Sequence, residues 1–312
     1  MPQSDLPEIS AIICTWNRAH ELVGALESFN QQTLARNRWE LIVVDNNSTD
    51  NTPHIIQEAA NTANYTLVGT VEKQQGLSRA RNTGIQTARA PVVAFTDDDC
   101  LIDPAWLESI LNIFQTNPQV DMLGGTGLTV YPPITQTDPK KRILAQRFFG
   151  DFRPYDTLMA LDTRNLPIGF NFSFRKCVSE KVGGFDPALG VTGSNYIAHE
   201  ETAFIRAAQA LGCSCYFDPR PIVYHRIQEE RICWPAIRKQ AYQGAAGSYL
   251  MRYAQQVQGH PLKRLQFSLL FGCEMLYAAV RFVLYLPSFR KRTNARFRLV
   301  AAAGKLKALW SH

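Results

Sequence analysis

The sequence lacks several signals that would assign a chemistry directly. Seven cysteines are scattered through 312 residues, and no C-x-x-C pair of the zinc-binding kind is present. The glycines between residues 76 and 84 fit neither a dinucleotide-binding fingerprint nor a P-loop. The sequence also contains no recognised nucleic-acid-binding module, so we expect no nucleic acid partner.

The amino-terminal residues lack the apolar stretch that forms the centre of a secretory signal. The cysteine count is odd, and Cys14 lies in an apolar, strand-like run where a buried, reduced thiol is the ordinary interpretation. Together these features favour a reducing compartment, and we expect a cytoplasmic protein.

Acidic residues are nearly absent from the last fifty positions. From Lys263 onward, ten basic residues are opposed by Glu274 alone. The whole chain carries a net charge of +6, with 46% hydrophobic and 19% charged residues, which is a globular composition with a mild attraction for anions. The basic carboxyl-terminal part is therefore a feature separate from the rest of the chain.

The first 130 residues alternate between apolar, β-prone runs and helical patterns. The β-prone runs are residues 9–14, 41–44, 65–71 and 92–96, and the helical patterns between them are residues 21–31, 52–61 and 77–88. This alternation predicts an α/β fold with a mostly parallel central sheet flanked by helices. Sheets of this kind bind ligands outside the carboxyl ends of their strands.

Three aspartates, Asp97, Asp98 and Asp99, follow directly after the apolar run that ends at Thr96. Crowded carboxylates repel one another unless a cation neutralises them, and oxygen ligands suit hard divalent ions such as Mn²⁺ or Mg²⁺. The alternative from the residues alone is a solvated acidic turn before the next helix.

Other polar residues suggest chemistry, and each has an ordinary structural alternative. Asp45 ends a strand and could bind a base or ribose, or it could form an Asx-type turn. Glu200 and Glu201 could supply a general base, or they could complement the dipole of a helix. The arginine-rich segment 76–84 could approach a diphosphate or form a basic helix face, and a lone histidine such as His225 is more often structural.

Taken in order, these segments resemble the family-2 glycosyltransferases, which have the GT-A nucleotide-diphospho-sugar transferase fold. The matching segments, spanning about residues 7–250, are SAIICTWNR (10–18), LIVVDNNSTD (41–50), GLSRARNTG (76–84), FTDDD (95–99), GFNFSFR (169–175), GGFD (183–186) and HEET (199–202), followed by His225. Each segment alone is weakly diagnostic, whereas the ordered set is specific.

The resemblance implies a role for each candidate residue. Residues that would contact the nucleotide sugar are Thr15, Asn17, Arg18, Asp45, Arg79, Arg81, Asp97 and Asp98. Asp99 would bind the metal, with His225 completing the site or contacting the diphosphate. Gly169 and Asn171 would border the donor sugar and the acceptor.

The resemblance also implies an inverting reaction with a carboxylate base. In this family the base is usually the aspartate of a Glu-Asp pair, but here the pair is Glu200-Glu201, so Glu201 falls at the base position. Because glutamate has one more methylene than aspartate, Glu200 remains a rival. We expect a UDP-sugar donor, with GDP- or dTDP-sugars as alternatives, and a saccharide or lipid-linked acceptor in polysaccharide or glycolipid synthesis.

Two other functions are consistent with parts of the sequence. A sugar-phosphate nucleotidyltransferase would have a glycine-rich, lysine-bearing loop near the first strand, and residues 15–18 form no such loop. A non-catalytic nucleotide-sugar-binding relative would have lost the acidic triplet or the base. The triplet is intact, and only the glutamate at position 201 points in that direction.

The sequence indicates a transferase domain at residues 1–255 and a basic, apolar helical extension at residues 256–312. The transferase domain would have a nucleotide-sugar half at about 7–130 and an acceptor half at about 131–255. Residues 265–286 are long enough to cross a bilayer, but Glu274 and Arg281 interrupt them. We therefore favour an interfacial or re-entrant helix at the cytoplasmic face of the inner membrane. Packing on the catalytic domain or in a homodimer interface is a nearly equal alternative, and a single membrane span is the least favoured.

Overall fold

The computed structural model describes residues 6–163, 165–192, 195–197, 199–257, 260–285 and 288–311. The strands are β1 (Ile9–Thr15), β2 (Trp39–Asp45), β3 (Thr66–Val71), β4 (Val92–Asp97), β5 (Cys100–Ile102), β6 (Met122–Val130), β7 (Met159–Ala160), β8 (Phe172–Arg175), β9 (Gly190–Thr192), β10 (Asn195–Ile197) and β11 (Cys215–Arg226). The helices are α1 (Ala19–Phe29), α2 (Thr52–Thr62), α3 (Leu77–Thr87), α4 (Trp106–Thr116), α5 (Ile134–Thr137), α6 (Pro139–Phe148), α7 (Lys176–Val182), α8 (Glu200–Ala210), α9 (Trp234–Val257), α10 (Pro261–Leu284) and α11 (Phe289–Ser311).

The chain divides into two compact units, which are not continuous in sequence. The first unit comprises the chain up to Val130 together with Asp151–Ala188 and Glu200–Arg226. The second unit comprises Tyr131–Gly150, Leu189–His199 and the chain from Ile227 onward. The division at residues 255 and 256 stays a prediction.

The first unit is built on one mixed sheet. Among the described residues its strand order is β3-β2-β1-β4-β8-β6-β11-β5, with β7 pairing to β11. β1 is parallel to both β2 and β4, and every residue of β2 is buried, as expected for a sheet covered on both faces. The predicted α/β fold, with mostly parallel strands flanked by helices, is confirmed.

The register of the parallel strands brings their polar ends to one edge. Thr15 is the partner of Asp45 across β1 and β2, and Cys14 is the partner of Asp97 across β1 and β4. The helices are held by apolar faces, such as Leu22 and Phe29 of α1, which are buried at helical spacing. The packing of helices such as α1 on the sheet, together with the strand register, therefore sets the positions of Thr15, Asp45 and Asp97.

The carboxyl-terminal half of the sheet differs from the sequence pattern. Two short strands are expected at residues 215–217 and 222–224, but β11 runs unbroken from Cys215 to Arg226 with a register shift between Phe217 and Ile222. The prolines at 219 and 221 cannot donate to the ladder, which explains the shift. The Thr126 hydroxyl of β6 donates to the Pro219 carbonyl at 2.9 Å and bridges the irregular part.

The second unit contains the long helices, and the expected carboxyl-terminal helical region is confirmed. α10 packs against α9 and α11 with a face that includes buried Phe271 and Ala278. By length and composition α10 is long and apolar enough to cross a membrane. Only 11% of its most apolar stretch is buried, so most of this stretch is not covered by the described residues. The sequence pattern extended this helix to Leu286, which lies outside the described residues.

Gly125 of β6 packs so closely on its neighbours that we expect alanine there to destabilise the first unit. A Cβ atom at this position would lie 2.4 Å from Asn171 Nδ2 and 2.5 Å from the Pro221 carbonyl oxygen. We expect Gly125→Ala to lower the free energy of unfolding by about 2 kcal/mol in urea denaturation. Gly150→Ala is the control because no atom lies within 4 Å of its added Cβ, and equal effects of the two changes would contradict the packing argument.

Candidate active site

Loops at the edge formed by β1 and β2 are tied to one another by short polar bonds. The Asp45 carboxylate accepts a hydrogen bond from the Ser48 amide at 3.0 Å, which is the Asx-type turn that the sequence offered as an alternative. Asn17 has a left-handed backbone (φ 52°), and its side-chain oxygen accepts from the Thr49 amide at 2.7 Å. These contacts make Asp45 and Asn17 organisers of the loops around the edge.

Asn46 is a further residue of this edge that the sequence did not single out. Its side-chain amide donates to the carbonyls of Glu72 and Gln74 at 3.0 and 2.9 Å, and its side-chain oxygen accepts from the Gly76 amide at 2.8 Å. Asn46 thereby fixes the chain that leads into α3. The sequence signal for this role is its position directly after Asp45. A polar side chain that follows a buried strand can reach the backbone groups of neighbouring loops.

The acidic triplet lies where β4 ends and β5 begins. Asp98 and Asp99 are buried, and Asp97 is half-buried. The Arg18 Nη1 atom donates to Asp98 Oδ1 at 3.0 Å and to Asp99 Oδ2 at 2.7 Å. Because β11 pairs with β5, His225 reaches the same place, with its Nε2 atom 3.4 Å from Asp99 Oδ1. The triplet is therefore a buried, neutralised cluster and not a solvated turn.

The three carboxyls of the triplet have different proton affinities. Burial raises the pKa of Asp98 to about 7 against the attraction of Arg18, and burial together with the Asp99 charge raises the pKa of Asp97. Burial also acts to raise the pKa of Asp99, but its hydrogen bonds and charge interactions with His225 and Arg18 outweigh burial and hold that pKa well below its usual range. Asp99 is consequently the carboxylate of the cluster that stays charged.

The expected metal pair, Asp99 and His225, is brought together by the fold. A carboxylate oxygen suits Mn²⁺ or Mg²⁺, Mn²⁺ accepts an imidazole nitrogen more readily than Mg²⁺ does, and phosphate oxygens can complete the coordination of such an ion. Within the described ranges, no group of three or more His, Cys, Asp or Glu side chains is arranged to hold a metal. Asp99 and His225 thus offer two donor atoms where β5 pairs with β11.

A second charged cluster joins α3 to α8. The Arg81 Nη1 atom lies 2.6 Å from Glu200 Oε1 and 4.0 Å from Glu201 Oε2. The guanidinium of Arg81 also lies over the rings of Phe95 and Phe185, at 5.7 and 5.4 Å from their centroids. The side chains of Arg81 and Glu200 are each only 5% exposed, so this pair is a buried, charge-assisted contact.

Glu201 differs from its neighbour in exposure and in charge balance. Its side chain is 22% exposed, and burial together with the negative charge of Glu200 raises its pKa to about 8 despite the nearby Arg81. Gly169 faces the same two groups, since a Cβ there would lie 3.1 Å from Arg81 Nη2 and 3.5 Å from Glu201 Cγ. A partly exposed carboxylate with a pKa near neutrality is suited to accept a proton.

Two of the expected binding residues face other partners. A hydrogen bond from the Thr83 hydroxyl is the main cause that lowers the pKa of Glu72, and the nearby charge of Arg79 adds to it. Asn171 is buried, donates to the carbonyls of Thr126 and Pro221 at 2.8 and 3.0 Å, and accepts from Trp106 Nε1 at 2.9 Å. Asn171 therefore ties β6, β11 and α4 together, and Thr15 is buried at the end of β1.

The family model described as glycosyl transferase family 2 matches residues 10–183, which include the acidic triplet, Arg81 and Gly169. The chain belongs to glycosyl transferase family 2. It is therefore a glycosyltransferase, as the resemblance implied.

Three relatives illustrate the match. Glycosyltransferase AglE of Haloferax volcanii is 30% identical over 58% of this chain and 57% of its own length, so the alignment spans little more than half of that relative. The glucosyl-dolichyl phosphate glucuronosyltransferase of the same organism is 26% identical over 72% of this chain and 71% of its own length. The succinoglycan biosynthesis protein ExoM of Rhizobium meliloti is 25% identical over 99% of this chain and 94% of its own length.

Solved structures show the same fold. The mannosyltransferase PcManGT from Pyrobaculum calidifontis, solved with GDP-Man and Mn²⁺, has a TM-score of 0.61 at 18% identity and covers 99% of this chain and 88% of its own. Residues 1–349 of Staphylococcus aureus TarS have a TM-score of 0.56 at 15% identity, covering 94% of this chain and 90% of that one. At these identities the likeness establishes the GT-A fold alone.

Proposed function

We propose that this glycosyltransferase is inverting and uses a divalent cation to move a sugar from a nucleotide diphosphate sugar to a hydroxyl group. The observation that carries the proposal is the presence of two charged clusters within the first unit. One contains Asp99, which follows β4, and His225 of β11, and the other contains Glu201 at the start of α8. The first suits a diphosphate with its cation, and the second suits an acceptor hydroxyl.

The protein groups divide the reaction between them. Asp99 and His225 would hold Mn²⁺ or Mg²⁺, which neutralises charge on the departing diphosphate when it is bound. Glu201, in its deprotonated form, accepts the proton of the acceptor hydroxyl. The hydroxyl oxygen then forms a bond to the anomeric carbon while the bond from that carbon to the diphosphate oxygen breaks, and the electron pair leaves on the diphosphate.

The substrate proposal keeps a UDP-sugar donor and a saccharide or lipid-linked acceptor. One relative is named as acting on a glucosyl-dolichyl phosphate, which supports an acceptor with a lipid carrier. The fold neighbour PcManGT binds GDP-Man, so GDP-sugars are the main competing donors, and dTDP-sugars are a third class. A thermal-shift screen with UDP-, GDP- and dTDP-sugars, with and without Mn²⁺, separates these donors because a ligand of the native state raises the melting temperature.

Asp99→Ala should abolish cation-dependent sugar transfer while leaving the fold intact. The change removes the carboxylate that stays charged beside His225, and we expect at least about a hundredfold loss of kcat/KM, comparable to the loss of a main electrostatic stabiliser. The measurement is release of nucleoside diphosphate from the donor found in the thermal-shift screen, at several Mn²⁺ concentrations. Asp156→Ala is the control because the Asp156 side chain is 89% exposed. Full activity of Asp99→Ala would remove the metal assignment.

Glu201→Gln should reduce kcat about a hundredfold or more, and by more than Glu200→Gln does, because only Glu201 combines exposure with a raised pKa. A base with a pKa of about 8 is protonated and inactive at lower pH, so the rate of the unmodified enzyme should rise as pH passes through about 8. Glu200→Gln removes the negative charge that raises this pKa, so the rise should move to lower pH. Steady-state kcat across pH 6–9 measures both effects, and the reverse ranking of the two variants would make Glu200 the base.

We also propose that α10 lies along an anionic membrane surface at the cytoplasmic face. The face of α10 that the described residues leave exposed carries leucines and valines at helical spacing, and these residues, all at least half-exposed, are Leu262, Leu265, Leu269, Leu276, Val280 and Val283. Glu274, the acid of this helix, is paired with Lys305 of α11 at 2.9 Å. An apolar face on a helix that has basic residues near both ends in the sequence fits anionic lipid better than a second copy of the same basic segment.

Leu269→Glu combined with Leu276→Glu should reduce sedimentation with vesicles containing anionic phosphatidylglycerol at least about fivefold, because both changes put charge on the apolar face. Leu211→Glu is the control, since Leu211 is an equally exposed leucine at the end of α8. Light scattering of the same samples separates the alternatives. A dimer that the double variant converts to a monomer, with no vesicle binding by either protein, would make this face a homodimer interface.

A further inference from the structure

We propose that Arg18, which bridges Asp98 and Asp99, is a displaceable internal counter-ion that competes with the catalytic cation for the carboxylate of Asp99. This inference rests on the cation-dependent function proposed above. One nitrogen, Arg18 Nη1, bridges the two carboxylates at 3.0 and 2.7 Å. A guanidinium in that position brings one positive charge to carboxylate oxygens that a divalent cation would otherwise contact.

Both oxygens of Asp99 already have partners, among them Cys100 Sγ, which donates to Oδ1 at 3.8 Å. Oδ2 accepts from Arg18, and Oδ1 faces His225 Nε2 at 3.4 Å. A cation held by Asp99 and His225 therefore lies within a few ångströms of a guanidinium that shares the Asp99 carboxylate. Because the cluster is buried and weakly screened, the repulsion between the two positive groups is large, and both cannot occupy the cluster in full contact.

Arg18 is the member of the cluster that is able to move. Its side chain is 33% exposed, whereas those of Asp98 and Asp99 are 8% and 4% exposed. Its backbone is held in place, since the Arg18 amide donates to Thr52 Oγ1 at 3.2 Å and the following amide, of Ala19, donates to Asp50 Oδ2 at 3.2 Å. Movement is thus confined to a flexible side chain, and water is available to solvate the guanidinium once it leaves.

The competition predicts that Arg18 lowers the apparent affinity for the cation. If the contact is closed in about nine molecules of ten, the apparent Kd of the ion is about ten times higher than that of the open site. In return, Arg18 keeps the two carboxylates neutralised whenever the ion is elsewhere. Removing the guanidinium should therefore tighten cation binding and weaken the fold that lacks the cation.

The test is a titration of the full chain with Mn²⁺ alone, followed by the electron paramagnetic resonance signal of free Mn²⁺, with no nucleotide present. Arg18→Gln should lower the Kd for Mn²⁺ about tenfold. The same variant should have a lower melting temperature than the unmodified chain without Mn²⁺ and a larger rise when Mn²⁺ is added. Arg38→Gln is the charge-matched control, because Arg38 pairs with Glu8 at the surface and its Kd should stay within about twofold.

The outcomes separate this inference from the proposed function. If Mn²⁺ binds the unmodified chain and Arg18→Gln binds it equally or more weakly, the competition is wrong and the cation-dependent function stands. If Mn²⁺ binds none of the proteins in the absence of nucleotide, the competition is wrong, and the Mn²⁺ dependence of sugar transfer by the unmodified chain then decides the cation-dependent function separately. Should Arg18→Gln not fold, Arg18→Lys provides the test, since one ammonium bridges two carboxylates less well, and we expect a smaller fall in Kd of about threefold.

Discussion

The site depends on how the burial of adjacent acidic side chains at the end of β4 is compensated. Asp98 and Asp99 are nearly inaccessible, and buried like charges raise the free energy of the fold unless cationic groups face them. The cation that faces them is Arg18, which follows β1, and His225 of β11, far away in the sequence, lies 3.4 Å from Asp99 on the other side. Strand pairing involves the same residues, since the Arg226 amide at the end of β11 donates to the Asp99 carbonyl at 3.0 Å. The pairing of β11 with β5 therefore also places His225 beside the Asp99 carboxylate.

The sheet edge could be predicted from the sequence because parallel strands end at the same side. Apolar runs alternating with helices predicted the fold, and the strand register then placed Thr15, Asp45 and Asp97 together. The partner of the acidic pair could not be predicted, because Arg18 precedes Asp98 by 80 residues and no periodic pattern links them. β5 was missed for a different reason. A three-residue strand is too short for its alternation to be recognised.

The different surroundings of the two glutamates at the start of α8 could not be predicted from the sequence. Successive residues of a helix point about 100° apart, so neighbouring carboxylates face different surroundings even when the sequence makes them equivalent. Glu200 faces Arg81 in the interior, whereas Glu201 lies 4.0 Å from that guanidinium and is partly open to solvent. Only the three-dimensional arrangement separates a structural ion pair from a carboxyl whose pKa is raised to about 8.

The same comparison applies to the two arginines of the site. Arg81 is 5% exposed and lies between aromatic rings, so withdrawing it would leave Glu200 as an uncompensated buried charge. Arg18 makes contacts of similar length, but a third of its side chain is in solvent, and water can replace the carboxylates as its partner. Hydrogen-bond distance alone therefore does not distinguish a fixed cation from a mobile one. Exposure does, because it determines whether a charged group can leave its partner without losing solvation, and by that criterion Arg81 is part of the framework whereas Arg18 belongs to the changeable part of the site.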